Sequence, residues 1–221
     1  ADDRRAAAEA TLTLLEKNAG LRDAATSAPL QVRTFERDVE DGARGCFTSH
    51  LALYSEALKA NLPWALVFED NLAIAREDDE EGSDSSSTAL KASLAWADSN
   101  KESWDVLHLA LVHSAASLRL TPVQESVVRV ERTAPDYYGP VPIEEAPGLG
   151  TTAYIISARG MQAMLDTAAS RGYNNTPVDD TLAALFPKTT YAVYPAVLRR
   201  GRSTSLINPD QEFFRSIMFQ P

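Results

Sequence analysis

The run Trp64-Ala-Leu-Val-Phe68 passes without a break into Glu69-Asp70-Asn71. Five consecutive apolar residues predict a short strand covered on both faces. The strand stops where charge begins. Around it, elements alternate. Leu51, Tyr54, Ala57 and Leu58 share one face of a helix predicted from Cys46 to Ala60, ended by Asn61-Leu62-Pro63. A second helix is predicted from Ala89 to about Asn100, and a buried strand over Trp104 to Leu111. A short third strand spans Val127 to Val130. Thr151 to Ser157 reads as a strand feeding a helix over Ala158 to Ala169. A short helix, Asp179 to Phe186, and a final strand, Tyr191 to Leu198, follow. Strands alternating with helices predict one α/β domain over residues 1–221, built as a sandwich around a mostly parallel central sheet flanked by helices.

Upstream, the first 28 residues read as helix, with Leu12, Leu15 and Ala19 at helical spacing and Gly20 as a stop. Residues 30–37 alternate apolar and polar, predicting a half-buried strand, and Gly42 and Gly45 mark a turn. Residues 76–88 are acidic and serine-rich and are expected to form a flexible loop, because they cannot bury enough apolar surface to order themselves. Residues 133–149, rich in proline, are expected to form a long irregular loop of the kind that carries function.

Composition limits the possible partners. The 221 residues are 44% hydrophobic and 24% charged, which is globular composition. Acids outnumber bases 31 to 21, for a net charge of −10. That balance argues against nucleic acid, since a duplex binder needs a basic face. The one basic cluster, Arg199-Arg200-Gly201-Arg202, is short. No stretch approaches the roughly 18 apolar residues that span a bilayer, and no signal segment opens the chain, so a soluble, mature or trimmed chain is expected. The single cysteine, Cys46, rules out an intrachain disulfide and an all-cysteine zinc cage.

Ligands of open α/β sheets bind beyond the carboxyl ends of strands, where Glu69-Asp70-Asn71 lies. Two carboxylates and an amide oxygen are hard ligands suited to magnesium, manganese or calcium. Equally, Asp and Asn there could be turn formers on a solvated strand end. A second acidic pair is Asp179-Asp180. Thr176 with Asp179 has capping-box form, with Pro177 at the first helical position, so Asp179 could simply cap a helix and leave Asp180 for other work. His50, His108 and His113 read as hydrogen-bonded core or rim residues, and no histidine pair has the i, i+4 spacing of a helical zinc site. Cys46 reads as a small buried thiol. Gly148-Leu-Gly150 lacks the further residues of a phosphate loop. Tyr137 and Tyr138 could stack on a sugar or cover the sheet.

Four segments in order carry a resemblance: Gly45-Cys46-Phe-Thr-Ser49-His50, then Phe68-Glu69-Asp70-Asn71, then Gly150-Thr-Thr-Ala-Tyr154-Ile-Ile-Ser157, then Val178-Asp179. With Asp3-Arg4-Arg5 at the start, the chain resembles glycosyltransferase family 25 over roughly residues 3–200. That resemblance implies a GT-A-like fold, a nucleotide-sugar donor, usually UDP-galactose, and inversion at the anomeric carbon. It implies a glycan or glycoprotein acceptor and Mn2+ (or Mg2+) held with the donor by Glu69, Asp70 and Asn71. Asp179 matches the family's Val-Asp and is the first candidate for general base, Asp180 the second. Arg200 and Arg202, in a segment only loosely like the family's close, could bind the diphosphate or be surface residues. The family's third acidic residue is Asn71 here, and its first strand is not found in the sequence. A catalytically silent member that binds sugar nucleotide or glycan is therefore the alternative. Asn174-Asn175-Thr176 is a glycosylation sequon; with the family's usual setting it points to the Golgi or endoplasmic reticulum lumen, a cytoplasmic location being the other option.

Overall fold

A computed structural model describes residues 6, 9, 10, 12, 13, 33–36, 38–70, 72–74, 83–111, 118–132 and 150–200. It contains helices α1 (Gly42–Lys59), α2 (Ser83–Ser99), α3 (Ala158–Arg171) and α4 (Val178–Leu185). Its strands are β1 (Trp64–Phe68), β2 (Leu72–Ile74), β3 (Val106–His108), β4 (Leu118–Gln124), β5 (Val127–Arg132), β6 (Ala153–Ser157), β7 (Thr190–Val193) and β8 (Leu198–Arg200). Six strands form one sheet in the order β1-β6-β3-β7-β5-β4, and β2 pairs with β8 in a second.

The α/β class read from the sequence is observed, but the sheet is mixed rather than mostly parallel. Among the described strands only β3 and β7 run parallel. β6 runs antiparallel to both β1 and β3, and a hairpin, β4–β5, closes onto β7 antiparallel. Alternation of strands and helices predicts crossovers. It does not reveal that β6 enters between β1 and β3 from the opposite direction.

Side-chain alternation along β6 explains the layers. Tyr154 and Ile156 face one core with Phe47, Tyr54 and Ala57 of α1, Met161 and Met164 of α3, and Val178 and Leu182 of α4. Ala153 and Ile155 face the other, with Leu90, Leu94 and Ala97 of α2. Period-2 strands thus present one apolar set to each helical layer.

Several expectations are corrected. Gly42 and Gly45 are not a turn but the first turn of α1, because Asp41 caps that helix, accepting from the amides of Ala43 and Arg44. Asp38 buttresses the same end, its carboxylate accepting from Arg44 Nε at 2.5 Å and Nη2 at 3.0 Å. A Cβ on Gly45 would sit 2.9 Å from Asp38 Cβ, which explains the glycine. Residues 33–36, placed in the expected strand, have no strand partner among the described residues and are exposed. Of the expected acidic loop, residues 83–88 are helical: α2 starts in that polar stretch, where Ser and Asp suit a helix start, and is held by burial further along. β1 is covered less than expected, only Val67 being buried, since it ends the order of described strands. Only residues 106–108 of the expected 104–111 strand are paired. β2 and the β4 arm of the hairpin were not expected. The final strand is two, β7 and β8, separated by residues 194–197. The Thr176–Asp179 capping box is not formed: Pro177 occupies the N-cap and no side chain caps α4.

Of the expected first helix, residues 6, 9, 10, 12 and 13 are helical and the rest lies outside the described residues. The 133–149 loop with Tyr137 and Tyr138, residues 76–82, Asn71, His113, Arg202 and the Arg200 side chain also lie outside them.

Candidate active site

Two junctions build the site: the exit of β1 and the entry to β6. Phe68 is the last paired residue of β1, opposite Ala153. The Glu69 amide then bonds the Thr152 carbonyl at 3.0 Å, so the chain is still pinned to its neighbour as the acidic pair begins. Glu69 is half-buried and Asp70 exposed. The Thr151 hydroxyl donates to Glu69 Oε1, fixing that carboxylate from the neighbouring strand.

Helix α1 supplies the floor. Cys46, His50 and Tyr54 recur every four residues and so share one stripe facing β6. The His50 ring stacks on Tyr154 with centroids 5.8 Å apart. Its Nδ1 lies 2.6 Å from the Tyr154 hydroxyl, which lies 2.5 Å from the Tyr54 hydroxyl. Its Nε2 faces Glu69 Oε1 at 3.9 Å. Burial holds His50 neutral, its pKa pushed down to about 4. The same burial, now disfavouring a phenolate, raises both tyrosines.

The charges converge here. Burial pushes the Cys46 thiol up to about 12, with the negative charges of Glu69, Asp179 and Asp70 adding to it. Asp179, in the first turn of α4, is pushed up to about 6 by burial first, then by Asp180. The amides of residues 179 and 180 pull it back, and Glu69 raises it further. A carboxyl that titrates near neutrality can accept a proton and return it, which is the requirement for a general base.

Glu69, Asp70 and Asp179, taken from separate sequence motifs, therefore sit within electrostatic reach of the same thiol. Asp180 neighbours them in the same helical turn. Arg200 reaches this end of the sheet through its backbone, paired with Leu72 in the β2–β8 ladder two residues beyond Asp70. His50 is the hydrogen-bonded core residue expected and Cys46 a partly buried thiol, whereas Tyr154 and Thr151 were not singled out. The sequence signal that joins Cys46 to His50 is their i, i+4 spacing, which places both on one helix face. The Ser49 hydroxyl instead bonds the Gly45 carbonyl within α1 at 2.7 Å. His108 lies behind Tyr154, its ring centroid 6.3 Å away, buried and held neutral with a pKa near 4 by that burial.

No helix among the described residues is long and apolar enough to cross a membrane. No curated protein matches the chain. Among solved structures, a mannose-1-phosphate geranyltransferase from Thermus thermophilus is 16% identical with a TM-score of 0.39, covering 84% of this chain and 63% of its own. A glycosyltransferase involved in the glycosylation of the major capsid of PBCV-1 is 10% identical with a TM-score of 0.45, covering 94% of this chain and 92% of its own. The sequence profile of glycosyltransferase family 25 (LPS biosynthesis protein) matches residues 14–182, well over half the chain and spanning α1, the β1 exit, β6 and the start of α4. The chain thus belongs to glycosyltransferase family 25.

Proposed function

We propose that the chain transfers a hexose, galactose being favoured, from a UDP-sugar to a hydroxyl of a glycan or protein, with inversion at the anomeric carbon. The observation that carries this reading is the convergence of Glu69, Asp70 and Asp179 around the Cys46 thiol, with Asp179 raised to about 6.

Each residue has a task in it. Asp179 takes the proton of the acceptor hydroxyl as that oxygen attacks, and a base whose pKa lies near the working pH is the efficient choice. Asp180 is the second candidate, and its charge already helps to hold Asp179 at its raised value. Glu69 and Asp70, with Asn71, would hold Mn2+ or Mg2+. Their oxygens fit a hard cation, and their negative charge adds to the burial that pushes up the Cys46 thiol and the Asp179 carboxyl. When bound, such an ion neutralises the diphosphate of the donor and stabilises the departing UDP. The fit has a simple electrostatic reason: a phosphate charge about 4 Å from a carboxylate is repelled by on the order of 4 kcal/mol at an effective dielectric of about 20. Arg200 and Arg202 are assigned to the diphosphate, on the support that β8 runs beside the β2 strand that follows Asp70. The proposed compartment is the Golgi or endoplasmic reticulum lumen, supported by the sequon at Asn174, which is exposed before α4.

The test is UDP release from UDP-galactose with Mn2+ and a panel of glycan acceptors. Turnover by the wild type that is lost in Asp179→Asn supports the assignment, and loss in Asp180→Asn alone moves the base by one residue. Full turnover in both variants ends the base assignment. UDP binding without release under any acceptor favours the silent member suggested by Asn71.

A further inference from the structure

We propose that Cys46, His50 and Glu69 form a binding site for one borderline divalent cation of the zinc class. The three side chains each offer a ligand atom, and these atoms all lie within 4.8 Å of one another. Sulfur and imidazole prefer zinc-like ions to magnesium or manganese, so this donor set differs in kind from the all-oxygen set of residues 69–71. The inference does not rest on the sugar-transfer reading.

Two elements hold the ligands in place before any ion arrives. Cys46 and His50 project from successive turns of α1, and Glu69 arrives from the β1 exit with Thr151 donating to its Oε1. His50 is oriented by its stacking on Tyr154. Its outer nitrogen, Nδ1, already has the partner that a ligating histidine needs. If Nδ1–H donates to the Tyr154 oxygen, the Tyr154 hydroxyl donates on to Tyr54, and the Nε2 lone pair is turned toward Glu69. That tautomer is the one ligation requires, and a buried hydroxyl chain fixes it as carboxylates and carbonyls do behind other metal-bound histidines.

The dimensions are close to those needed. Bonds of about 2.0–2.3 Å in a tetrahedral site set donor pairs roughly 3.4–3.6 Å apart. His50 Nε2 and Glu69 Oε1 stand at 3.9 Å and the whole set lies within 4.8 Å, so side-chain rotations of about an ångström close it. Three protein ligands leave a fourth position for water or a substrate atom, the arrangement of reactive rather than purely structural zinc sites. On binding, the Cys46 thiol releases its proton to solvent and ligates as thiolate.

Cys46 is the only cysteine in the chain, so thiol chemistry reports on it alone. The 221-residue chain is titrated with Co2+, and alkylation of Cys46 is timed with and without Zn2+. One Co2+ per chain with a thiolate-to-cobalt charge-transfer band, displaced by Zn2+, is expected, and Zn2+ slows alkylation about tenfold or more. Cys46→Ser removes the band, and Tyr154→Phe weakens Co2+ binding about 10–100-fold by removing the outer hydrogen bond. A wild-type cobalt spectrum without a thiolate band, or alkylation equally fast with and without Zn2+, overturns the site. Both decisive readings use the wild type, so no variant's folding bears on them. Glu69 is common to this site and the all-oxygen set, so both readings are taken without UDP or Mn2+, and the outcome of the UDP and Mn2+ test bears on neither.

Discussion

His50 Nδ1 lies 2.6 Å from the hydroxyl of Tyr154, a residue 104 positions further along the chain. This bond ties helix α1 to strand β6 at the depth where Glu69 leaves β1. It makes the Gly-Cys-x-x-Ser-His and Gly-Thr-x-x-Tyr segments two halves of one buried contact, extended by the Tyr54 hydroxyl at 2.5 Å.

Removing the end of that chain should be felt as stability. Tyr54→Phe deletes a buried hydroxyl and leaves Tyr154 with one partner fewer, for an expected loss of about 1–2 kcal/mol. Chemical denaturation checks it: the midpoint should fall with the slope unchanged.

Asp179 should show a trade between stability and activity. Its folded pKa, near 6, lies above the ordinary 3.8, so its contribution to stability is fully present below about pH 3.8 and is lost as pH rises through 6. At neutral pH the charged carboxylate opposes folding by up to about 3 kcal/mol, at about 1.4 kcal/mol per unit. Asp179→Asn should therefore raise the melting temperature above pH 6, show little difference near pH 4, and abolish transfer. In the wild type, kcat/KM should fall about tenfold per pH unit below 6.

The two buried histidines act in the opposite sense. His50 and His108 have folded pKa values near 4, below the ordinary 6.5. Their stabilising contribution is present above pH 6.5 and is lost as pH falls through 4, because the unfolded chain takes up protons that the folded chain refuses. Thermal melts should begin to weaken near pH 6.5, before the surface carboxylates titrate, and His108→Gln should flatten that limb.

Asp105 should matter for folding alone. It is 5% exposed and accepts from Ser157 Oγ at 3.1 Å, Arg159 Nε at 2.8 Å and Thr189 Oγ1 at 2.7 Å, joining the starts of β3, α3 and β7. Asp105→Ala takes the acceptor from Ser157, Thr189 and the half-exposed Arg159 and should lose about 2–3 kcal/mol by denaturant titration. It lies away from the acidic pocket, so UDP affinity of the folded fraction should be unchanged.

What the sequence disclosed, and what it hid, follows from range. The apolar run 64–68, the Ser157 strand-to-helix join and α3 were legible because local pattern and burial agree there. The antiparallel entry of β6 was not, since its partners lie 46 to 93 residues away in sequence. The alternation in residues 33–36 misled because a strand needs a partner, and no pattern within four residues supplies one. The start of α2 was hidden by composition: a polar first turn looks like a loop until Leu90 and Leu94 bury the rest. At the site, Glu69, Asp70 and Asp179 were legible as acids in family motifs. His50 and Tyr154 stand in family motifs too, but their pairing was not legible, because it is a contact between distant segments.

The central claim is that the acidic exit of β1 receives an activated sugar with a divalent cation. Its most direct test is the melting temperature with UDP, with Mn2+ and with both. At a ligand concentration about 100 times Kd, binding adds about 2.7 kcal/mol, or roughly 5–10 °C for a domain of this size. The account predicts that shift only with both present in the wild type, and its loss in Glu69→Gln and Asp70→Asn. A wild-type melting temperature unmoved by UDP and Mn2+ together would contradict it.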